Sequence, residues 1–128
     1  MENVKMEKQI LIAHCQHIVR EGLKALIGSC PGLKVVGDTG DGRQTVELVR
    51  RHKPDVVVMD LVLPDQGGVE TIRQIRQASE PTRIVIFTSD ADRMSVTAAL
   101  KAGASGFLWK DCAFDELAHA LKAVTGGR

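Results

Sequence analysis

Short apolar runs recur along the chain about every 25 residues, and each is bordered by polar residues, glycine or proline. Runs of roughly four to eight apolar residues with such borders are typical of β-strands. The runs within residues 55–59 and 83–87 are apolar without alternation, as expected for strands that helices cover on both faces of a parallel sheet. The pattern predicts strands over residues 9–13, 33–37, 55–59 and 83–87, and a short fifth strand that leads to Lys110.

Between the strands, apolar residues recur at the spacing of an amphipathic helix. Asp41 and Asp111 are predicted to cap the second and the last helix, and a weaker helix is predicted over residues 91–102. Regular alternation of strand and helix predicts an α/β domain with a parallel sheet. The stripes of apolar residues that predict the other helices are Val19, Leu23, Leu26 and Ile27; Thr45, Leu48 and Val49; Val69, Ile72 and Ile75; and Phe114, Leu117, Ala118 and Leu121.

Polar residues follow four of the predicted strands at the points where those strands end. Asp60, Thr88 and Lys110 follow the third, fourth and fifth strands, and His14 and Cys15 follow the first. Ligands of open parallel sheets bind outside the carboxyl ends of the strands, so we expect these side chains to lie together. A carboxylate, a hydroxyl and an ammonium at one edge suit the binding of a phosphoryl group.

Length and composition limit the classes of function. A chain of 128 residues forms one domain with a single core, and a net charge of +1 leaves no basic surface for nucleic acid. No apolar stretch approaches the roughly 20 residues of a membrane span, and no secretory signal is recognisable, which predicts a cytoplasmic protein. Cys15, Cys30 and Cys112 follow neither a disulfide nor a zinc-module spacing, so reduced thiols are expected.

The chain resembles the bacterial response-regulator receiver domains, and among them those of the NarL-type LuxR/FixJ transcription regulators. The resemblance covers residues 8–127, which leaves residues 1–7 as an N-terminal extension. It implies a flavodoxin-like (βα)5 fold with five parallel strands in the order 2-1-3-4-5. The segments that carry the resemblance are Val19 to Leu23, Pro54 to Asp60 with Pro64, Thr88, and Gly103 to Asp111.

By matching positions, the resemblance also implies roles for single residues. Asp60 corresponds to the phosphoacceptor, Thr88 to the hydroxyl that contacts the phosphoryl group, Lys110 to its charge partner, and Phe107 to the aromatic switch residue. The surface of the fourth and fifth helices is the implied partner face. A homodimer, contact with the protein's own output domain and a sensor histidine kinase are the implied partners.

One position departs from the family pattern. Members carry two adjacent acidic residues after the first strand, where this chain has His14 and Cys15. Magnesium demands oxygen ligands and usually draws on carboxylates, so Asp60 alone should bind it poorly, and no cofactor is expected. We expect Lys110 to pair more strongly with Asp60. His14 and Cys15 either fill the vacated pocket or, as an alternative, bind zinc or copper together with Asp60.

The sequence therefore predicts an atypical receiver domain of a transcription regulator. It would be a signalling and protein-interaction module, not an enzyme, with impaired or absent magnesium-dependent phosphorylation at Asp60. DNA contact would need an output domain that is absent from these 128 residues. The alternative is a receiver that still phosphorylates itself on Asp60 with a weakly bound ion. A nucleotide site ranks last, because no glycine-rich loop follows the first strand.

Overall fold

Five parallel strands form one sheet in the order β2-β1-β3-β4-β5, which confirms the predicted fold. The computed structural model describes residues 7–89 and 92–126. Strand order reverses at β1, which pairs with both β2 and β3. The strands are β1 (Lys8–Ala13), β2 (Leu33–Thr39), β3 (Val56–Met59), β4 (Arg83–Thr88) and β5 (Gly106–Trp109).

Helices follow the strands in strict alternation. Within the described ranges, none of them is long and apolar enough to cross a membrane. The helices are α1 (His17–Gly28), α2 (Gly42–His52), α3 (Gly68–Ala78), α4 (Arg93–Ala102) and α5 (Phe114–Val124).

The sheet separates two apolar layers, because successive residues of a strand point to opposite faces. Leu11 of β1 packs in the layer that contains buried residues of α2, α3 and α4. Its neighbours Ile10 and Ile12 pack in the other layer, with buried residues of α1 and α5. All four residues of β3 are buried, which explains why that segment is apolar without alternation. The core thus fixes the central strand and with it the position of Asp60.

Of the two predicted N-caps, one is confirmed and one is wrong. The Asp41 side chain accepts a hydrogen bond from the Gln44 amide at 2.7 Å, so its prediction as an N-cap is confirmed. The prediction for Asp111 is wrong, because Ala113 precedes the first residue of α5 and its amide donates to Glu116 at 2.9 Å. Asp111 lies in the turn that the bond from the Cys112 amide to the Trp109 carbonyl closes.

The predicted helix over residues 91–102 is present as α4, which begins at Arg93. Its N-cap is Asp92, whose side chain accepts from the Ser95 amide at 2.7 Å. Ala91, the predicted start, lies outside the described residues.

Candidate functional site

Backbone hydrogen bonds continue past the ends of the strands and bring the polar residues to one edge of the sheet. The Asp60 amide donates to the Ala13 carbonyl at 3.1 Å, and the Lys110 amide donates to the Thr88 carbonyl at 2.8 Å. The His14 amide bonds in the same way to Thr39 at the end of β2. Neighbouring strand ends are therefore locked in register.

The carboxylate of Asp60 lies at the centre of this edge, and only 4% of the residue is exposed. Its Oδ2 atom is 3.1 Å from Nζ of Lys110 and 3.2 Å from Nε2 of His14. Its Oδ1 atom accepts the Val62 amide at 3.3 Å, and the Thr88 hydroxyl also hydrogen-bonds to the carboxylate. The structure therefore brings Asp60, Thr88, Lys110 and His14 together at one edge of the sheet, as predicted.

These donors control the protonation of Asp60. Burial is the largest effect on its pKa and acts to raise it, because a low-dielectric environment disfavours the charged carboxylate. The close contact with His14, together with hydrogen bonds from Thr88, Lys110 and the Val62 amide, outweighs burial and holds the pKa of Asp60 well below its ordinary value. Asp60 is therefore an ionised, buried carboxylate at neutral pH.

His14 is the feature of the site that the sequence identified without predicting its contact. The residue is 1% exposed, and its Nδ1 atom accepts the Gln16 amide at 3.0 Å. Because an acceptor nitrogen carries no proton, the neutral ring has its proton on Nε2, which faces Asp60. At 3.2 Å the contact with Oδ2 of Asp60 does not have the geometry of a hydrogen bond, and Nε2 has no hydrogen-bond partner among the described residues.

Arg20 holds the loop that carries His14, a role that sequence reasoning missed. Its Nη1 atom donates to the His14 carbonyl at 2.7 Å, and its Nε atom donates to Asp38 at 2.9 Å. The side chains of Arg20 and Asp38 are 16% and 24% exposed, so this ion pair is largely shielded from water. The sequence placed Arg20 in α1 but carried no signal that its guanidinium would turn back over the first loop.

Cys15 does not join the other polar residues, because it is exposed to solvent. Within the described part of the chain, no group of three or more histidine, cysteine, aspartate or glutamate residues could hold a metal ion. The three ligands of the zinc or copper alternative, His14, Cys15 and Asp60, are thus not gathered into one cluster.

The loop after β3 is fixed by a second carboxylate that sequence reasoning also missed. Asp65 accepts the amides of Gly42 and Arg43 at 2.8 and 2.9 Å, so it caps α2 from a different loop. The bond from Gly42 is the main cause that lowers the pKa of Asp65 to about 2. Asp65 follows Asp60 by five residues, so this cap anchors the loop that leaves the site.

An aromatic pair on β5 adjoins Lys110. The rings of Phe107 and Trp109 meet edge to face, with centroids 5.0 Å apart and planes at 83°. Phe107 is partly buried against the layer that contains α2, α3 and α4, whereas Trp109 is 47% exposed. The predicted switch residue therefore connects the core to the surface through its aromatic neighbour.

Comparison with known proteins gives a family match over most of the chain. Residues 10–122 match the response regulator receiver domain. The transcriptional regulatory protein DegU of Brevibacillus brevis is 38% identical over 119 residues, which are 93% of this chain and 50% of that protein. The nitrate/nitrite response regulator NarL of Escherichia coli K12 is 36% identical over 118 residues, 92% of this chain and 55% of that protein. The chain thus spans about half the length of these relatives.

Solved structures agree with the fold. A LuxR-family two-component response regulator from Aurantimonas sp. SI85-9A1 superposes with a TM-score of 0.89 at 40% identity, covering 95% of this chain and 87% of that one. The receiver domain of a response regulator NarL from Mycobacterium tuberculosis has a TM-score of 0.90 at 28% identity, with 96% and 99% covered. Both neighbours are named as response regulators.

Proposed function

Because the chain belongs to the response regulator receiver domain family, we propose that it is an atypical receiver of a two-component transcription regulator. In this proposal it acts as a signalling and protein-interaction module, and magnesium-dependent phosphorylation of Asp60 is impaired or absent. The observation that carries the proposal is the imidazole of His14, whose Nε2 atom lies 3.2 Å from the carboxylate. A hydrogen-bond donor thus stands where the family pattern has an acidic residue.

The chemistry of the donor set supports weak magnesium binding. Mg²⁺ prefers six oxygen ligands in a near-ideal octahedron and usually takes one or two protein carboxylates. Asp60 supplies one carboxylate, and its Oδ2 atom is already in contact with Lys110 and His14. An imidazole N–H offers no lone pair to a cation. The residues at this edge therefore do not fit magnesium, and no step of the proposal depends on it.

The slower phosphoryl transfer in this proposal follows from the weak binding of magnesium. A catalytic metal supplies several kcal/mol of charge stabilisation to the transition state. A loss of about 3 kcal/mol slows transfer more than roughly a hundredfold. Asp60 keeps the position of the acceptor, with Lys110 and Thr88 beside it, so the defect would be one of rate rather than of geometry.

The second candidate is a receiver that still accepts a phosphoryl group on Asp60 with a weakly bound ion. Its support is the lowered pKa of Asp60, because an ionised carboxylate is the nucleophile that the reaction needs. The two candidates differ in the rate at which Asp60 is modified.

Labelling by a small radioactive phosphodonor, in magnesium, distinguishes the candidates. The native chain is compared with the double substitution His14→Asp and Cys15→Asp, and Asp60→Asn serves as the unlabelled control. We expect the double variant to be labelled at least about a hundredfold faster than the native chain. Labelling of the native chain at the rate of the variant would refute the proposal.

The partners follow from the same family. We propose that the module contacts a sensor histidine kinase and either a second copy of itself or its own output domain, through the surface of α4 and α5. Contact with DNA would be made by a part of the protein outside these 128 residues. The proposed site of action is the cytoplasm, where such a regulator meets DNA.

A further inference from the structure

Three strand ends are joined through a single carboxylate oxygen. Oδ2 of Asp60, after β3, is in contact with His14 after β1 and with Lys110 after β5. Because β3 lies between β1 and β4 in the sheet, this contact set reaches across four neighbouring strands. A change at His14 can therefore reach Lys110 through one shared atom.

The direction of the His14 proton is fixed by its other nitrogen. The Gln16 amide points at Nδ1, so the ring cannot place its proton there without losing that bond. Nε2 is buried without a hydrogen-bond partner among the described residues, and the Oδ2 atom of Asp60 lies 3.2 Å from it. Because a buried N–H group without a partner is costly, we expect the ring to be held toward this carboxylate.

The backbone around His14 leaves the ring little freedom to leave the site. Arg20 donates to the His14 carbonyl at 2.7 Å, and the His14 amide donates to Thr39 at 3.0 Å. Both main-chain polar groups of His14 are thus occupied, and the residue is 1% exposed. The imidazole is consequently a fixed part of the pocket.

The other end of the contact set is Lys110, the first residue after β5. The Lys110 amide is held by the Thr88 carbonyl while its ammonium is held by Asp60. Trp109 precedes it and contacts Phe107 edge to face. Lys110 therefore directly follows the exposed aromatic surface of β5 along the chain.

We propose that His14 is a positioning residue that holds Asp60 against Lys110 and so fixes the Phe107–Trp109 pair in one arrangement without any phosphoryl group. Its Nε2–H group acts as a built-in donor at the position where the family pattern has acidic residues. The inference rests on the proposed function in one respect, since it treats this edge as the signalling site of a receiver. In this inference the exposed aromatic surface of β5 depends on His14, a side chain of the domain itself.

Trp109 is the sole tryptophan, so its indole N–H gives one unambiguous NMR signal and its emission reports the same surface. His14→Leu retains apolar bulk without a donor, His14→Gln retains an N–H donor, and Cys15→Ala alters the exposed neighbour. We expect His14→Leu to shift the indole signal and increase acrylamide quenching of Trp109. His14→Gln should restore both readouts at least in part, and Cys15→Ala should change neither.

A double substitution tests the route of the effect. In a Lys110→Met background, His14→Leu should no longer move the Trp109 signal, because the connecting ammonium is gone. An unchanged Trp109 signal in His14→Leu alone would overturn the proposal and leave His14 as a packing residue. An equal shift in both backgrounds would overturn the route through Lys110.

The native chain provides a test that requires no variant to fold. The ¹⁵N spectrum of the His14 ring should place the proton on Nε2 and leave Nδ1 as an acceptor. A proton on Nδ1 would remove the donor and overturn the proposal. None of these measurements uses a phosphodonor or magnesium, so rapid labelling of the native chain would refute the proposed function and leave this inference standing.

Discussion

Replacing Lys110 with methionine tests the electrostatics of the site directly. The side chain of Asp60 is 6% exposed and that of Lys110 is 18% exposed, so water cannot fully replace the lost ammonium. Breaking a buried charged pair costs about 3–5 kcal/mol, and losing a hydrogen bond to a charged group costs about 1.5–3 kcal/mol. Because Thr88 and the Val62 amide still donate to the carboxylate and His14 stays in contact with it, we expect the lower range, about 2 kcal/mol of unfolding free energy.

Urea unfolding followed by circular dichroism measures this loss without relying on Trp109, which adjoins the substitution. A loss of about 2 kcal/mol is roughly thirtyfold in the folding equilibrium and lowers Tm by roughly 8 °C. Lys101→Met is the matched control, because Lys101 is an exposed lysine of α4 and should change stability by less than about 0.5 kcal/mol. A loss below about 0.5 kcal/mol for Lys110→Met would refute the argument from burial.

Substitution of Asp60, the partner of Lys110, shows which member of the ion pair is more costly to remove. Asp60→Asn removes the negative charge, keeps a carbonyl acceptor for the donors around it, and leaves Lys110 as a cation with 18% exposure. A partly exposed ammonium can turn to water, whereas a buried carboxylate cannot. We therefore expect Asp60→Asn to cost less than Lys110→Met.

Two further predictions concern the elements that frame the site. Gly42→Ala should destabilise the fold by about 1–3 kcal/mol, because a Cβ atom there would overlap Oγ1 of Thr71. Gly22→Ala, in the open surface of α1, should stabilise it by about 0.5–1 kcal/mol, so the two variants should have urea midpoints on opposite sides of the native value, and a midpoint on the other side would contradict the expectation for that variant. The pKa of Asp65 is about 2 in the folded protein, and its ordinary value is 3.8. Between these two pH values the unfolded state binds more protons than the folded state, so stability rises with pH in this range. Asp65→Asn should therefore be less stable than the native chain at pH 7 and approach it as pH falls toward 2, and a constant difference would contradict this.

The sequence predicted the fold wherever burial alone decides the structure. The run at residues 55–59 indicates a central strand because all four residues of β3 are buried. The sequence-based prediction failed where pairing between strands decides where a strand ends. Strand β2 continues to Thr39, two residues past its predicted end at Gly37, because its backbone stays in register with Ala13 of β1 after a bulge. That pairing is non-local, and the polar side chain of Asp38 gives no strand signal.

For the site, the sequence identified which residues meet but not how they contact one another. Asp60, Thr88 and Lys110 meet because the carboxyl ends of parallel strands lie at one edge, which is a property of topology. The contact between His14 and Asp60 depends on the rotamer of a ring that the Gln16 amide orients. A local backbone bond of this kind leaves no trace in the spacing of residue types.

The exchange of an acidic pair for His14 and Cys15 has two separable consequences. With two further carboxylates the edge would carry an excess of negative charge that attracts a divalent cation, whereas Asp60 and Lys110 alone are balanced. Under the proposed function, the absence of these carboxylates weakens metal binding, and the imidazole of His14 brings its Nε2 atom to 3.2 Å from Oδ2. Full phosphorylation is then expected only when both residues are exchanged, while releasing the contact with Asp60 requires exchanging His14 alone. A substitution of His14 alone therefore separates the two effects.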